Sequence, residues 1–346
     1  MHYPIDKENM HKSIYDFSEH MTLAITIGES ITLNQSYSEI RNIVIAGMGG
    51  SAIGGDIIRA LVGSTLKVPL VVSRHYELPA WVDERSLVIC SSYSGNTEEI
   101  LSAYEDAAKK GAQICGVTTG GRLLSLLNEN LLDSVIIPDG LQPRAALALS
   151  FIPTLYLLHA LGLIPDTFQE ELLHAQSRLN KIREVFSIDN DENPCYSLAS
   201  KIYCTIPVIY GQTEWTSIAA IRFKGQLCEN GKMLAYHNEL PEFNHNEIVG
   251  WENNSSLLNS ISVIWIHDEQ DHPRVKLRQE ITENILSELP SSQHIVKGEG
   301  DSAFERFLYI VHYADWVSYW CAIHHQTDPT PVIKIDHLKD ELGKVK

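Results

Sequence analysis

The chain is short of basic side chains. Lys and Arg total 27 against 44 Asp and Glu, a formal net charge of −17 over 346 residues. That deficit argues against a general nucleic-acid or anionic-membrane surface, although a local pocket can oppose the global field and hold a phosphorylated metabolite. Paired cysteine spacings are missing too. The six cysteines (Cys90, Cys115, Cys195, Cys204, Cys228 and Cys321) form no CxxC, so they read as reduced thiols of a cytoplasmic protein, with no zinc knuckle. No apolar run is long enough to span a membrane, the N-terminus carries no signal-peptide pattern, and no helix-turn-helix is evident. What remains, 44% hydrophobic and 21% charged, is the composition of a globular chain long enough for two domains.

The stretch that organises the rest is Ile89–Glu99, ICSSYSGNTEE. It reads as the end of a buried strand, a sharp bend at Gly95, and a helix from Thr97 whose inner face is Ile100, Leu101, Tyr104 and Ala107. Ser91, Ser92, Ser94 and Thr97 therefore bring hydroxyls to one helix N-terminus, where backbone N–H groups and the dipole favour an anion, most naturally a phosphate. A cap needs one such residue; three hydroxyls around Gly95 exceed that need.

Taken in order, residues 5–35 predict one or two helices, with Met10, Ile14, Phe17 and Met21 at helical spacing, as a packing arm on the first domain. Ile43–Ala46 is a first strand running into the loop GMGGSAIGGD and a helix to Leu61. Glycines there let backbone N–H groups approach a ligand. The same string matches the dinucleotide fingerprint G-x-G-x-x-A, but that fold wants an acid at the end of the second strand, and Val68–Ser73 is followed by Arg74, His75 and Tyr76. Further strands at Leu87–Cys90, Gln113–Val117 and Ser134–Pro138 alternate with helical segments, which predicts an α/β doubly wound parallel sheet with its ligand at the carboxyl ends of the strands. Arg144 precedes a long apolar helix from Ala145 to about Leu161, where a cation opposes the dipole; meeting an anion or a developing oxyanion accounts for it better than a surface ion pair.

Asp166–Phe186 is an amphipathic helix, and the acidic, Pro-terminated Ile188–Pro194 is the best domain boundary. The second half restarts the same grammar. Strands at Val208–Gly211, Ile261–Ile266 and His294–Val296 alternate with helices at Trp215–Cys228, His272–Leu289 and Ala303–His325. It reads as a diverged repeat without the serine-rich loop, so one anion site per chain is expected. Between these elements Cys228–Trp251 crowds Glu229, His237, Glu242, His245 and Glu247 among aromatic and Asn residues, the texture of an active-site wall. The chain closes on DPTPV and a short helix carrying Ile335 and Leu338, in which Lys339 reads by spacing alone as a solvated lysine.

GMGGSAIGGD, SSYSGNTEE, PRAA, ENGK…NHNEIVGW and DPTPV…ID-x-LK together resemble the bifunctional phosphoglucose/phosphomannose isomerases, built from two SIS (sugar isomerase) domains. The first two motifs mark SIS domains generally, and the NHNE segment is the more specific. The resemblance implies two doubly wound αβα sandwiches: residues 1–155 with the helical arm, a connection at 156–190, and residues 191–346 with a tail docked at the active site. It implies aldose–ketose isomerisation of glucose 6-phosphate, and of mannose 6-phosphate, to fructose 6-phosphate through a cis-enediol(ate), with no metal and no nucleotide. By the same analogy Ser51, Ser92, Ser94 and Thr97 hold the phosphate with backbone N–H groups of Gly49 and Gly50. Glu229 shuttles the proton, with a pKa raised by burial. His245 opens the sugar ring from the neighbouring subunit of a homodimer, Arg144 stabilises the enediolate, Lys339 assists ring opening or orients the sugar, and Thr330 gives room at C2.

Four other readings stay open at this point. His237, Glu242, His245 and Glu247 could ligate zinc as in the unrelated cupin-type mannose-6-phosphate isomerases, but those are all-β and this segment has no regular face for four ligands. A non-catalytic phosphosugar-binding regulator predicts the cradle without a base. An isomerase restricted to glucose 6-phosphate shares every feature but the space at C2; one acting on glucosamine 6-phosphate fits the NHNE segment poorly.

Overall fold

The computed structural model describes residues 3–344. In chain order, helices α1 (Met10–Tyr15) and α2 (Phe17–Glu29) precede β1 (Asn42–Ala46), α3 (Gly49–Val62), β2 (Leu70–Ser73), β3 (Ser86–Ser92), α4 (Glu98–Lys109), β4 (Gln113–Thr118), α5 (Gly121–Glu129), β5 (Asp133–Ile136), α6 (Leu147–Ala160) and α7 (Phe168–Phe186). There follow α8 (Pro194–Ile202), β6 (Ile206–Gln212), α9 (Thr216–Glu229), β7 (Tyr236–Leu240), two 3-10 turns (Glu242–His245 and Glu247–Glu252), α10 (Ser255–Leu258), β8 (Ile261–His267), α11 (Pro273–Ile285), β9 (Ser292–Lys297), α12 (Ala303–His324) and α13 (Ile333–Leu342).

These elements form two units. The N-terminal unit comprises Asp16–Asn180 with Gly300–Arg306, and the C-terminal unit comprises Lys181–Glu299 and Phe307 onward together with the chain up to Tyr15. The fold class is α/β, with one all-parallel sheet in each. In the N-terminal unit the strand order is β2-β1-β3-β4-β5, and in the C-terminal unit β7-β6-β8-β9. The second sheet therefore repeats the first four positions of the first, which is the repeat expected from the alternating pattern. Both reverse direction of winding between their two central strands, β1 and β3 in one, β6 and β8 in the other, and ligands of such sheets bind at that point.

Continuous apolar runs became central strands because both faces are covered. Val44, Ala46, Val88 and Cys90 pack with Ile100, Tyr104, Leu123 and Leu127. Tyr210, Val263 and Trp265 pack with Leu240, Phe243, Trp251, Val275 and Leu286. Helices α8 and α10 fall in stretches where no element is expected, and two further elements differ from the sequence reading. Strand β7 lies in the polar segment taken as a wall; it is an edge strand paired on one side only, so it needs no apolar run. The N-terminal arm, expected as one or two helices packed on the first domain, divides at Asp16. Helix α1 belongs to the C-terminal unit, capped by Asp6 through the Met10 and His11 N–H groups (2.7 and 2.9 Å), with the His11 ring edge-on to Trp316 and Tyr319. Helix α13 forms where a short docked helix is expected, but every one of its residues, Ile335, Leu338 and Lys339 included, is exposed, so the expected docking is not seen in this helix.

Candidate active site

In the N-terminal unit two loops leave the carboxyl ends of neighbouring strands, Ala46 of β1 lying opposite Cys90 of β3. The first loop enters α3 at Gly49, whose φ of +48° suits glycine. The first N–H groups of a helix have no acceptor within it, so Gly49 and Gly50 offer donors there. Ser51 is buried in the same turn. A Cβ on Gly50 would stand 2.9 Å from the Pro143 carbonyl oxygen and 4.0 Å from Arg144 Cα. Glycine at this position is therefore what lets the Pro143–Arg144 turn close against the loop. Arg144 is 4% exposed and lies in that turn, three residues before α6 begins, rather than on the helix itself. The chain at Gln142–Ala146 is bent by hydrogen bonds from the Ala145 and Ala146 N–H groups to Gln142 O (2.8 and 3.2 Å).

The second loop is drawn inward by its own hydroxyls. Ser92 Oγ and Thr97 Oγ1 are 2.8 Å apart, and Ser92 Oγ accepts the Gly95 N–H at 3.1 Å. Thr97 stands at the N-cap of α4 but its hydroxyl makes no capping bond, so capping does not explain it. Ser94, exposed at the tip, accepts the Asn96 N–H at 3.2 Å. Gly95 has φ +67°, and a Cβ there would lie 1.8 Å from Gly120 O; no other residue fits the bend. All seven N-terminal candidates, Gly49, Gly50, Ser51, Ser92, Ser94, Thr97 and Arg144, thus belong to two adjacent strand ends and the turn packed on them. The second strand ends without an acid facing this place: Arg74 turns back to ion-pair with the buried Asp56 of α3. That arrangement does not suit a dinucleotide ribose.

The equivalent place in the C-terminal unit is filled by the protein's own carboxylates. Asp271 accepts the Asp268 N–H at 2.9 Å and faces the Thr216 hydroxyl, in the first turn of α9, at 3.4 Å; Asp268 accepts from Trp215 Nε1 at 3.1 Å. Burial, with Asp268 nearby, pushes the Asp271 carboxyl up to about 6, against the pull of these hydrogen bonds. An internal anion occupies the ground that the serine-rich loop leaves open in the first unit. The pH consequence follows from the sign: a carboxyl raised above its ordinary 3.8 adds stability below that value and loses it as pH rises through about 6. Asp271→Asn is therefore expected to be more stable than the parent by about 1–3 kcal/mol at pH 8 and no more stable at pH 4, checked by urea unfolding at both.

Glu229, His245, Thr330 and Lys339 all belong to the C-terminal unit. Glu229 is the last, half-buried residue of α9. That helix is pinned to α12 by the buried pair Arg222–Asp315 (Nε–Oδ1 3.2 Å, Nη2–Oδ2 3.0 Å) and by Asn230 Nδ2 to Ser318 Oγ at 3.0 Å. Lys232, at φ +54°, folds its ammonium back to donate to the Glu229 carbonyl and, at 2.8 Å, to that of Pro329, beside the buried Thr330. The pattern ENGK thus stitches the end of α9 to the DPTP strap. Sequence reading missed Lys232; the Asn-Gly after a helix end was its signal.

The NHNE motif is fixed through three of its four residues. Asn244 donates to Thr282 Oγ1 of α11 at 2.9 Å. Asn246 accepts the Glu247 N–H at 2.6 Å and donates to Glu242 at 2.7 Å. Glu247 accepts from the buried Tyr210 hydroxyl and from Asn238 Nδ2 at 2.5 Å. His245 sits at the end of the 3-10 turn, exposed. Glu242 and Glu247 are thereby committed to different partners, and among the described residues no group of three or more His, Cys, Asp or Glu is arranged to hold a metal ion.

Comparison with known proteins matches residues 36–161 to the SIS domain and residues 191–342 to the family described as bacterial phospho-glucose isomerase C-terminal SIS domain. The bifunctional phosphoglucose/phosphomannose isomerase of Caldicellulosiruptor bescii is 42% identical over 339 residues, 97% of this chain and 100% of that protein. The protein of the same name from Aquifex aeolicus is 39% identical, over 88% of this chain and 91% of its own. In fold the chain is similar to the C-terminal domain of glucosamine-fructose-6-phosphate aminotransferase from Francisella tularensis, with TM-score 0.71 and 15% identity over 92% of this chain and 97% of that one.

Proposed function

The chain belongs to the bifunctional phosphoglucose/phosphomannose isomerase family, and from that premise we propose that it interconverts glucose 6-phosphate and mannose 6-phosphate with fructose 6-phosphate through a cis-enediolate. The observation that carries the reading is the pair of loops at the β1/β3 strand ends, where Thr97 forgoes its cap and Gly50 admits a buried arginine, as an anion cradle requires.

Each residue has one task in this reading. Ser51, Ser92, Ser94 and Thr97, with the N–H groups of Gly49 and Gly50, hold the phosphate. Glu229 takes the C2 proton of the open-chain aldose and returns it to C1; its helix is the one clamped by Arg222, Asn230 and Lys232. Arg144 offsets the charge on the enediolate oxygen; its burial is what makes a fixed cation effective there. His245 opens the ring, and its exposure suits a residue that serves the neighbouring subunit of a homodimer. Lys339 on the exposed α13 assists ring opening or orients the sugar, and Thr330, held beside Asp328, leaves room for either epimer at C2. The step moves one proton from C2 to C1 and one from the C2 hydroxyl to the C1 oxygen, and calls on no metal and no nucleotide.

In this reading the two functional domains meet at Ile188–Pro194, where the second family match begins, although the compact units divide earlier, at Asn180–Lys181 within α7. Six free thiols and the absence, among the described residues, of any helix long and apolar enough to cross a membrane favour a place in the cytoplasm.

The test is a coupled assay for fructose 6-phosphate with EDTA present, run separately from glucose 6-phosphate and mannose 6-phosphate. Turnover of both is expected. Turnover of glucose 6-phosphate alone would overturn the role of Thr330 and the epimer tolerance. Tight binding of both without turnover would make the chain a phosphosugar-binding module.

A further inference from the structure

Lys232 takes a left-handed backbone, φ +54°, in the turn that follows α9. Glycine or asparagine reaches that conformation most easily, and a lysine there meets the steric cost of its own Cβ. The neighbouring Gly231 does not take the left-handed turn. It answers a different need: a Cβ on it would stand 2.8 Å from Leu227 O, 3.3 Å from Met233 Cγ and 3.4 Å from Cys321 Cβ. Close packing asks for glycine at 231, and the backbone at 232 would accept glycine as well. The lysine is therefore there for its side chain.

That side chain joins two distant parts of the C-terminal unit. Its ammonium donates to the carbonyl of Glu229, which as the last residue of α9 has no donor within the helix. It also donates, at 2.8 Å, to the carbonyl of Pro329. Two hydrogen bonds laid end to end hold the two oxygens no more than about 6 Å apart. The first carbonyl belongs to the proposed base. The second precedes the buried Thr330, whose N–H donates to Asp328 Oδ1 at 3.1 Å. On its other side the end of α9 is held to α12 through Asn230 and Ser318.

The two residues joined in this way decide the epimer in the reading given above. A planar enediolate has two faces at C2, and the aldose formed depends on which face receives the proton from Glu229. Both faces are reached only if the rest of the sugar can turn, in the room that Thr330 leaves. The balance between glucose 6-phosphate and mannose 6-phosphate then depends on how Glu229 stands to the DPTP strap. We infer that Lys232 is a positioning residue that fixes this separation and so sets the ratio in which the two epimers form. The inference rests on the roles proposed for Glu229 and Thr330. A threefold change in the ratio corresponds to about 0.7 kcal/mol between two barriers, within what one hydrogen bond from a charged donor contributes.

The experiment measures, in the full chain, the ratio of glucose 6-phosphate to mannose 6-phosphate formed from fructose 6-phosphate at early conversion. Lys232→Gly keeps the left-handed turn at ease and removes the ammonium; Lys232→Met keeps a long side chain without its charge. Both are expected to change the ratio at least threefold, with KM within about threefold of the parent and an unchanged urea midpoint. Lys232→Arg, which can still donate to two carbonyls, should keep the parental ratio within about 1.5-fold. A lysine serving only the turn would leave Lys232→Gly parental, because glycine suits that backbone better. A parent that forms both epimers, with the parental ratio in Lys232→Gly or with Lys232→Arg shifted as far as Lys232→Gly, overturns the role of Lys232 and leaves the proposed reaction standing. A parent that forms one epimer only, or neither, overturns the roles of Glu229 and Thr330 on which the inference rests, and the inference with them.

Discussion

Glu229→Gln is expected to lower kcat by about 10²–10⁴-fold while KM changes less than about threefold. The amide keeps the size and the hydrogen-bonding reach of the carboxylate but cannot carry a proton from C2 to C1. In the proposed reading Ser51, Ser92, Ser94 and Thr97 hold the phosphate, and the substitution leaves those side chains in place. The split between kcat and KM is therefore the signature. Near-parental turnover in this variant would remove Glu229 from the shuttle, and a rise in KM alone would make it a binding residue. Glu229 ends α9 one residue before Asn230, whose side chain is bonded to Ser318, and three before Lys232, which holds the Glu229 carbonyl. The backbone around the proposed base is thereby held on both sides.

Arg222→Met is expected to cost about 3–5 kcal/mol of stability in the C-terminal unit. Arg222 and Asp315 are both buried, and their two-point contact spans α9 and α12. Removing the guanidinium leaves the Asp315 carboxyl where burial already drives its pKa upward, with its main counter-charge gone. Arg222→Met combined with Asp315→Leu should regain most of the loss, since an apolar pair of similar volume needs no compensation. Trp215, Trp251, Trp265, Trp316 and Trp320 lie in this unit, so urea unfolding followed by tryptophan fluorescence reads it. Equal destabilisation by the single and the double change would mean that packing volume, and not charge, sets the cost. Arg222 stands two helical turns before Glu229, so the single variant should lose kcat as well as stability.

Much of this architecture is legible in one dimension. Ile43–Ala46 and Leu87–Cys90 are apolar runs because β1 and β3 are central in their sheet, covered on both faces. Gly95 is legible as a bend because no other residue tolerates its φ and the approach of Gly120. The Ser92–Thr97 loop reads as an anion site from its excess of hydroxyls, and the structure supplies the detail that Thr97 forgoes its capping bond. What stayed hidden depends on contacts between distant residues. Strand β7 carries YHNEL, polar because an edge strand is half solvated. Asp268 and Asp271 look like ordinary loop acids until the fold brings Thr216 and Trp215 to them across more than fifty residues of chain. Lys232 reads as one more surface lysine, and only its two carbonyl partners, one of them Pro329, give it a task. The division of the N-terminal arm at Asp16 is of the same kind: the periodicity of Met10, Ile14 and Phe17 specifies a helix but not the unit against which it packs.

The central claim is proton transfer between C1 and C2 by a carboxylate on the way between a ketose and two aldoses. Nuclear magnetic resonance of fructose 6-phosphate incubated with the protein in D₂O tests it most directly. Glucose 6-phosphate and mannose 6-phosphate are expected to carry deuterium at C2, fructose 6-phosphate to acquire it at C1, and Glu229→Gln to show none of this on the same timescale. Conversion to both aldoses with no deuterium entering at any time would contradict it, because the hydrogen would then travel as a hydride and Glu229 would have no proton to carry.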